Sequence, residues 1–473
     1  MPDPVGTEIL QLHAEFPPVS TAEWEAVIQK DLKGAEYDKK LVWRPEEGIA
    51  VHPYYRRDVL EMLGDSANLA PGDFPYTRGN GQIPTEAQDA IPPVGAIRGD
   101  YFHEAGGTAI QELAFSLSQA VETLAQATQP PSSETVFVFA IGSNYFFEIA
   151  KLRAARLTWS MAVSAFGKGY EKASVARIHA RTSVFNKSLF DPYSNLLRIT
   201  TEAAAALVGG CDSLSVGAFG FDSHLSANVQ HILREEAYLA TVCDPAGGSY
   251  YIESLTDSLA KAAWHLFQKV EELGGWSAAL KSGWIDQQLA QAKHTKDTAA
   301  SSRRRTLVGV NNYPNVAEKT SDAQAPEPLP NDPFPQSRLA EPFEALRRRT
   351  ARHAHKIGRY PKILLLTRGN PKMKVARANF CLNFFGCAGF DLVETEQYAD
   401  TKPDLIVLCS SDAEYLPFAQ EVCQSTEVPV LVAGNPKEQI HELQAAGVQG
   451  FIHIGSNALE TLTHWQDKLG MEL

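Results

Sequence analysis

Four times between residues 96 and 239, a short apolar run is followed by a longer amphipathic one. That alternation limits the folds open to the chain more than any other feature. The apolar runs read as strands over Ala96–Phe102, Val136–Ile141, Val175–Ala180 and Ser213–Val216. The helical patterns that follow them cover Thr108–Ala127, Tyr145–Phe166, Asn195–Leu207 and Ser223–Leu239. Successive strand–helix units demand parallel strands joined by right-handed crossovers. A closed (β/α)8 barrel needs eight such units over about 250 residues, so four predict either a smaller open sheet or half of a barrel.

The alternation returns near the C-terminus. Strands are predicted at Ile363–Leu366, Asp391–Val393, Leu405–Leu408, Val428–Val432 and Phe451–Ile454, with helices between them. Five such units predict a flavodoxin-like, doubly wound domain. Its first unit, Lys362–Phe390, reads as strand, glycine-containing loop and helix, so Thr367–Lys372 is where a cofactor would be gripped. The loop holds no His, Cys, Asp or Glu, and neither GxGxxG nor GxxxxGK[ST] occurs there. Between His355 and His441 the chain has no histidine at all.

These two blocks divide the chain into an arm (1–80), a partial barrel with following helices (81–315), a linker (316–341) and the last domain (342–473). In the arm, Thr21 is a helix-cap candidate with Trp24 at the capping-box position, and Glu23, Trp24, Val27, Ile28 and Leu32 form one stripe. Leu41–Arg44 and Ile49–His52 read as a hairpin, Pro71–Gly79 as an extended segment and residues 81–95 as loop. Past the four units come helices at Leu255–Leu273 and Gly283–Ala299 and a short strand at Thr306–Tyr313. Glu318–Arg338, rich in Pro, Asp, Ser and Ala, reads as exposed. The helix Pro342–Lys356 carries Arg347, Arg348, Arg349 and Arg352, either a solvated face or a docking or phosphate patch.

A net charge of −13 excludes a nucleic-acid surface and a polybasic membrane anchor. No apolar run approaches the ~20 residues of a membrane helix, and the first residues lack a signal-peptide pattern. Six cysteines without a CxxC pair, set in apolar runs, predict buried free thiols in a reducing compartment, hence the cytoplasm.

Single residues give few candidates for chemistry. His103, at the end of the first strand, is either a general acid or a packed ring. His179 reads as a core histidine, and Asp244 and Glu253 flank a Gly-Gly turn where an Asp caps backbone. Arg78, in Thr77–Arg78–Gly79, either holds an anion such as a phosphate or pins the arm to a domain surface.

Several blocks together resemble the methylmalonyl-CoA mutases: FPYTRG (Phe74–Gly79), HEAGGTAIQELAFSLSQAVE (His103–Glu122), FFEIAKLRAARLTW (Phe146–Trp159), DPYSNLLRITTEAAAALVGGCDSL (Asp191–Leu214) and DPAGGSYYIESLT (Asp244–Thr256). Within that family the chain is most similar to the small (β) subunit of the heterodimeric bacterial form. The resemblance implies a truncated (β/α)8 domain of about four units and a C-terminal domain that is a degenerate cobalamin-binding one. It also implies a radical isomerisation of (R)-methylmalonyl-CoA to succinyl-CoA, with adenosylcobalamin held through a histidine in DxHxxG. Here that histidine falls near Lys374, its Asp near Lys372 and the Gly near Arg377. The family's acid–base histidine in GYHxQEAG is Tyr101 in GDYFHEAG, with His103 two residues on, and TSG after the third strand is Thr182–Ser183–Val184.

What the resemblance implies is therefore a non-catalytic small subunit, with adenosylcobalamin held by a larger catalytic α subunit and no cofactor, metal or catalytic residue of its own. Thr77, Arg78, Tyr101 and His103 would be vestiges of a substrate site. The alternatives are an acyl-CoA mutase that binds cobalamin without a histidine ligand, and an adaptor that uses Arg78 and Arg347–Arg349 as contacts. Half a barrel also predicts an uncovered apolar interior, closed by the arm, a partner subunit or a second copy.

Overall fold

The computed structural model describes residues 15–64, 68–82, 95–131, 133–398 and 402–472. In the arm, α1 (Thr21–Asp31) is capped by Ser20 in a full capping box with Glu23, one residue before the Thr21 and Trp24 assignment. Ser is the better cap of the two, and the Glu three residues on completes the box at Ser20. The stripe on α1 is left open: Trp24 and Val27 are exposed, as are Phe16 and Val19 before it. The expected hairpin reduces to one antiparallel bridge between Trp43 and Val51, because α2 (Tyr37–Leu41) takes up the residues ahead of it. After α3 (Arg57–Leu63), Pro71–Gly79 is a run of tight turns rather than extended chain, closed by Gly72 N–H donating to Gly79 O at 3.1 Å. Most of the expected 81–95 loop lies outside the described residues.

The first sheet is parallel, in the order β1 (Ile97–Arg98), β2 (Thr135–Ile141), β3 (Ala176–Thr182), β4 (Ser213–Ser215). Its helices are α4 (Asp100–Glu104), α5 (Ala109–Ala125), α6 (Tyr145–Ser164), α7 (Pro192–Val208) and α8 (Ser223–His231), the last running on as a π turn, Ile232–Glu236. All four predicted strands form, but β1 is cut to two residues. At Gly99 the chain turns into α4 beneath Ser116 and Phe139, where a Cβ would come within 2.5 Å of Ser116 Oγ and 2.9 Å of the Phe139 ring. Strand side chains alternate between faces. Phe137, Phe139, Ile141, Ile178, Ala180 and Leu214 enter the core shared with the helices, and Trp159 of α6 meets Phe137 edge-on at 5.3 Å. α9 (Tyr250–Glu272) packs across α5 and α6, and α10 (Trp276–Lys281) and α11 (Trp284–Ser301) follow.

The opposite face corrects the expected apolar interior. Its residues include Val138, Ala140, His179, Arg181, Ser213 and Ser215, which is mostly polar and charged. The segment 318–338 is exposed over much of its length, as its composition predicts, yet it is held to the sheet. It lies along this face as a strap: Pro326 borders a cavity of about 210 Å3 with Arg181 and Ser215, and Tyr101 Oη donates to Pro330 O at 2.7 Å. Phe334 is buried 5.4 Å from the Phe102 ring, and Ser337 N–H donates to Glu104 O at 3.1 Å. The chain itself thus covers this face. The strand expected at Thr306–Tyr313 is a turn with a single bridge, Val308 to Asn312.

Following α12 (Glu341–Ile357) comes the second parallel sheet, in the order β6 (Asp391–Thr395), β5 (Lys362–Thr367), β7 (Leu405–Cys409), β8 (Val430–Ala433), β9 (Gly450–Ile452). Both faces are covered, so the central strands read as unbroken apolar runs. Ile363, Leu365 and Val407 pack into one core, on the side of α13 (Pro371–Gly386) and α16 (Ala458–Lys468). Leu364, Leu366 and Leu408 pack into the other, under α14 (Tyr415–Ser425) and α15 (Ile440–Ala445). The arginine run on α12 is only partly a solvated face. Arg347 is buried 4.1 Å from the Phe190 ring and donates to Asn315 O at 3.0 Å. Arg349 is buried against Asp467 and Met471 O, both at 2.5 Å. Those arginines join the two sheets and the C-terminus. All six cysteines are free and four are buried.

If the strap is structural, Phe334→Ala should cost about 3–5 kcal/mol, the usual loss for emptying a buried phenyl site. Exposed Glu327→Ala on the same segment should leave the urea midpoint where it is.

Candidate functional site

At the arm, Arg78 makes the contacts of the pinning reading. Its Nε donates to Asp244 Oδ2 at 2.8 Å and its Nη1 to Leu69 O at 2.9 Å. Asp244 in turn lies 3.4 Å from Arg153, whose guanidinium grips Glu253 Oε1 at 2.8 and 3.1 Å. A Cβ on Gly247 would sit 2.5 Å from Arg78 Nη2, so glycine is needed for the turn to close on the guanidinium. Arg78 thus ties the turn to Asp244, which lies against the Arg153–Glu253 pair. Thr77 stands half-buried on the same turn, outside this network.

Tyr101 and His103 fall on α4, not on the strand the alternation predicts. Two residues apart on a helix are turned by about 200°, so they face different ways. Tyr101 faces the strap and Arg98, whose Nη1 donates to Tyr101 Oη at 2.9 Å while its guanidinium lies over the ring at 4.2 Å. Arg98 also forks onto Asp100 at 2.8 and 2.7 Å.

His103 turns toward the helices, into a buried ionic cluster. Its Nδ1 is 3.3 Å from Glu112 Oε2. Lys151 Nζ lies 2.7 Å from the same oxygen and 2.5 Å from Glu148 Oε2. The cause is the shortness of β1. In a parallel ladder successive residues turn their backbone to opposite neighbours, and Ile141 O accepts from Ser183 N–H beyond β3 at 3.0 Å, so Ala140 faces β1's side, where no strand remains. Glu112 Oε1 accepts from Ala140 N–H at 2.9 Å and Lys151 Nζ donates to Ala140 O at 2.5 Å. Glu148 Oε1 accepts from Gly142 N–H at 3.0 Å. Burial pushes Glu112 up to about 7 against the pull of Lys151. For Lys151, burial lowers the ammonium pKa, but its two carboxylate partners outweigh that and raise it. Burial, helped by Lys151, takes His103 down to about 3, so its imidazole is neutral. A neutral ring with Nδ1–H toward Glu112 presents Nε2 as an acceptor, the form a general base takes.

This ring borders a cavity of about 500 Å3 walled by Trp43–Glu47 of the arm, Gly142–Asn144, Phe185 and Lys296. Residue reading missed Glu112, Glu148, Lys151 and Lys296. The legible signal was a Glu and a Lys three apart inside the apolar run FFEIAKLRAA, a pair too buried by its neighbours to be surface charge. His179 is the core histidine expected, with Nδ1 2.8 Å from Ser213 Oγ and Nε2 3.1 Å from Ser215 Oγ, and burial lowers it to about 4.

The crevice at the carboxyl ends of β5 and β7 is where a doubly wound sheet holds its ligand. Here a carboxylate of the chain fills it. Glu414 accepts from Asn370 N–H at 3.2 Å, Ser410 Oγ at 2.8 Å and Ser411 Oγ at 2.5 Å, and the serine contacts bring it down to about 2. Gly369, at φ +78°, leaves no room for a Cβ against that carboxylate. Around it Lys374 pairs with Glu396, Arg377 with Asp412 and Arg368 with Glu421. Ammonium and guanidinium groups offer cobalt no lone pair, so these residues do not fit an imidazole-ligated cobalamin. Among the described residues no three His, Cys, Asp or Glu side chains gather as a metal site.

The model of the methylmalonyl-CoA mutase family matches residues 90–357. A methylmalonyl-CoA mutase small subunit from Porphyromonas gingivalis is 31% identical over 618 aligned positions, covering 98% of this chain and 99% of the relative. One from Streptomyces virginiae is 32% identical over 398 positions, 78% of this chain and 63% of the relative, so the chain spans less than two thirds of that protein. A methylmalonyl-CoA mutase from Escherichia coli is 36% identical over 241 positions, 48% of this chain and 34% of the relative.

Lys151→Met should destabilise the fold by about 3–5 kcal/mol in a urea melt, because it strands two buried carboxylates. His103 and His179 have folded pKa values near 3 and 4, below the usual 6.5. The unfolded chain therefore binds more protons, and their contribution is present above pH 6.5 and lost as the pH falls toward 4 and 3. Across pH 5–8 their ring NMR signals should stay still, and a midpoint near 6.5 for either would contradict the geometry.

Proposed function

The chain belongs to the methylmalonyl-CoA mutase family, and from that premise we propose that it is the small, non-catalytic subunit of such a mutase. A larger subunit of the same family would carry adenosylcobalamin and interconvert (R)-methylmalonyl-CoA and succinyl-CoA. The observation that carries this reading is self-satisfaction. Two positions where the family's chemistry needs a free group are occupied here by contacts within the chain. Tyr101 stands at the acid–base histidine and is tied to Arg98 and Pro330. Lys374, near the cobalt ligand, is ion-paired, and Glu414 fills the crevice. Small subunits from P. gingivalis and S. virginiae are among the chain's relatives.

In this reading the first sheet is half of a (β/α)8 barrel (81–315), residues 316–341 connect it to the second, and 342–473 form a flavodoxin-like domain that no longer holds cofactor. The long alignment with the P. gingivalis protein, 618 positions against 473 residues, agrees with missing barrel units. The arm (1–80) reaches the larger subunit. An 11-residue helix is marginal alone, and α1 buries none of its residues within the chain, so its apolar stripe gains stability from a partner. Among the described residues no helix is long and apolar enough to cross a membrane, which fits the cytoplasmic placement proposed with this assembly.

Co-expression with a larger family member containing DxHxxG decides the matter. The pair should co-elute, and turnover and the cobalamin spectrum should follow the larger chain. Trp24→Asp should weaken the pairing about tenfold or more without changing the fold. Turnover or cobalamin uptake by this chain alone would overturn the reading.

A further inference from the structure

We propose that the cavity between the arm and the carboxyl ends of β1–β3 binds a small hydroxylated anion, a hydroxy-dicarboxylate or a phosphate monoester, between Lys296 and Glu47. This goes beyond the subunit reading and stands without it. The cavity, about 500 Å3, has the size of a metabolite site. Lys296 comes from α11 and is buried. Its Nζ donates to Gly107 O at 2.6 Å, which uses one of three N–H groups, and it lies 5.1 Å from the Phe185 ring. Facing it from the arm, Glu47 has an enclosed Oε2 with no hydrogen-bond partner among the described residues. An enclosed acceptor without a donor is costly, and a ligand hydroxyl supplies one.

Two further features set the sign of the ligand. The 20-residue α6 opens at Asn144, on the cavity wall, and its side chain makes no cap, so the first-turn N–H groups are left for another acceptor. Arg44 and Arg304 stand exposed on the rim, whereas Arg305 is already paired with Glu46 at 2.6 Å. Glu148 on the same wall is held by Lys151. The four lining cations Arg44, Lys296, Arg304 and Arg305 outnumber the three carboxylates Glu46, Glu47 and Glu148 by one, within a chain of net charge −13. Burial lowers Lys296 to about 8, and it raises Glu47, so a counter-charge and a donor relieve both. Since Trp43–Glu47 form one wall, an occupant ties the arm to the sheet.

The test is calorimetric titration of the full chain with L-malate and with glycerol 3-phosphate, with succinate as the acid lacking the hydroxyl. One of the two hydroxylated acids should saturate a single site with a Kd of about 1 mM or tighter, and which one tells carboxylate from phosphate. Succinate should bind more weakly than malate if malate is the ligand. Lys296→Met should weaken binding about tenfold, the worth of one charge-assisted hydrogen bond. Trypsin cleavage after Arg44 should slow in the bound chain. Saturation by neither acid, or full affinity in a folded Lys296→Met chain, overturns the proposal. If that variant does not fold, Arg304→Glu, at an exposed position, must weaken binding, and unchanged affinity there overturns it equally. A chain that pairs with the larger subunit yet binds neither acid loses this inference alone.

Discussion

A buried ion pair stands in for a missing length of strand. β1 ends after two residues, which leaves the backbone of Ala140 facing a place where no ladder continues. A buried amide and carbonyl without partners would cost several kcal/mol between them. Glu112 and Lys151 meet both groups, and Glu148 meets the next free N–H, at Gly142. Because those side chains come from α5 and α6, the same contacts set how both helices sit on the sheet. Burial beside the same cluster keeps His103 neutral, and the Lys151 ammonium adds to it by opposing a second positive charge. Helix placement, histidine protonation and the cavity wall therefore share one cause.

The polar inner face has a similar logic. A barrel interior is a packed core only if opposing strands fill it. With four strands, an apolar inner face would have been open to solvent, and here charged and hydroxyl groups line it instead. Arg98, Asp100, Arg181 and Glu104 form one chain of ion pairs, and the strap supplies Phe334 and backbone acceptors where apolar cover is needed. Both sheet edges, β1 and β4, are very short, which leaves little template for edge-to-edge pairing.

Much of this was legible in the residues, for reasons that also mark the limits. Leu405–Leu408 and Ile363–Leu366 read as strands because both of their faces are buried, a local property of composition. The end of β1 was not legible. Gly99 and Asp100 turn the chain because Ser116, Phe139 and Arg181 stand where they do, and those come from distant parts of the sequence. Tyr101 and His103 were singled out from the residues, but their directions depended on that same turn. Arg78 and Asp244 were each noticed, whereas their pairing spans 166 residues and no spacing rule reaches so far. The arginines of α12 misled because a run of charge ordinarily meets water, and here Phe190, Met471 and Asp467 meet it instead.

The strap also orders events in time. The inner face it covers is complete once residue 215 has been made, yet Pro326–Ser337 emerge from the ribosome more than a hundred residues later. Through that interval the four-stranded sheet must wait unroofed. A greasy surface would invite other nascent chains, whereas a lining of arginine, aspartate, histidine and serine can be solvated until its own lid arrives. The polarity of this face is then also what lets the four-stranded sheet survive its own synthesis.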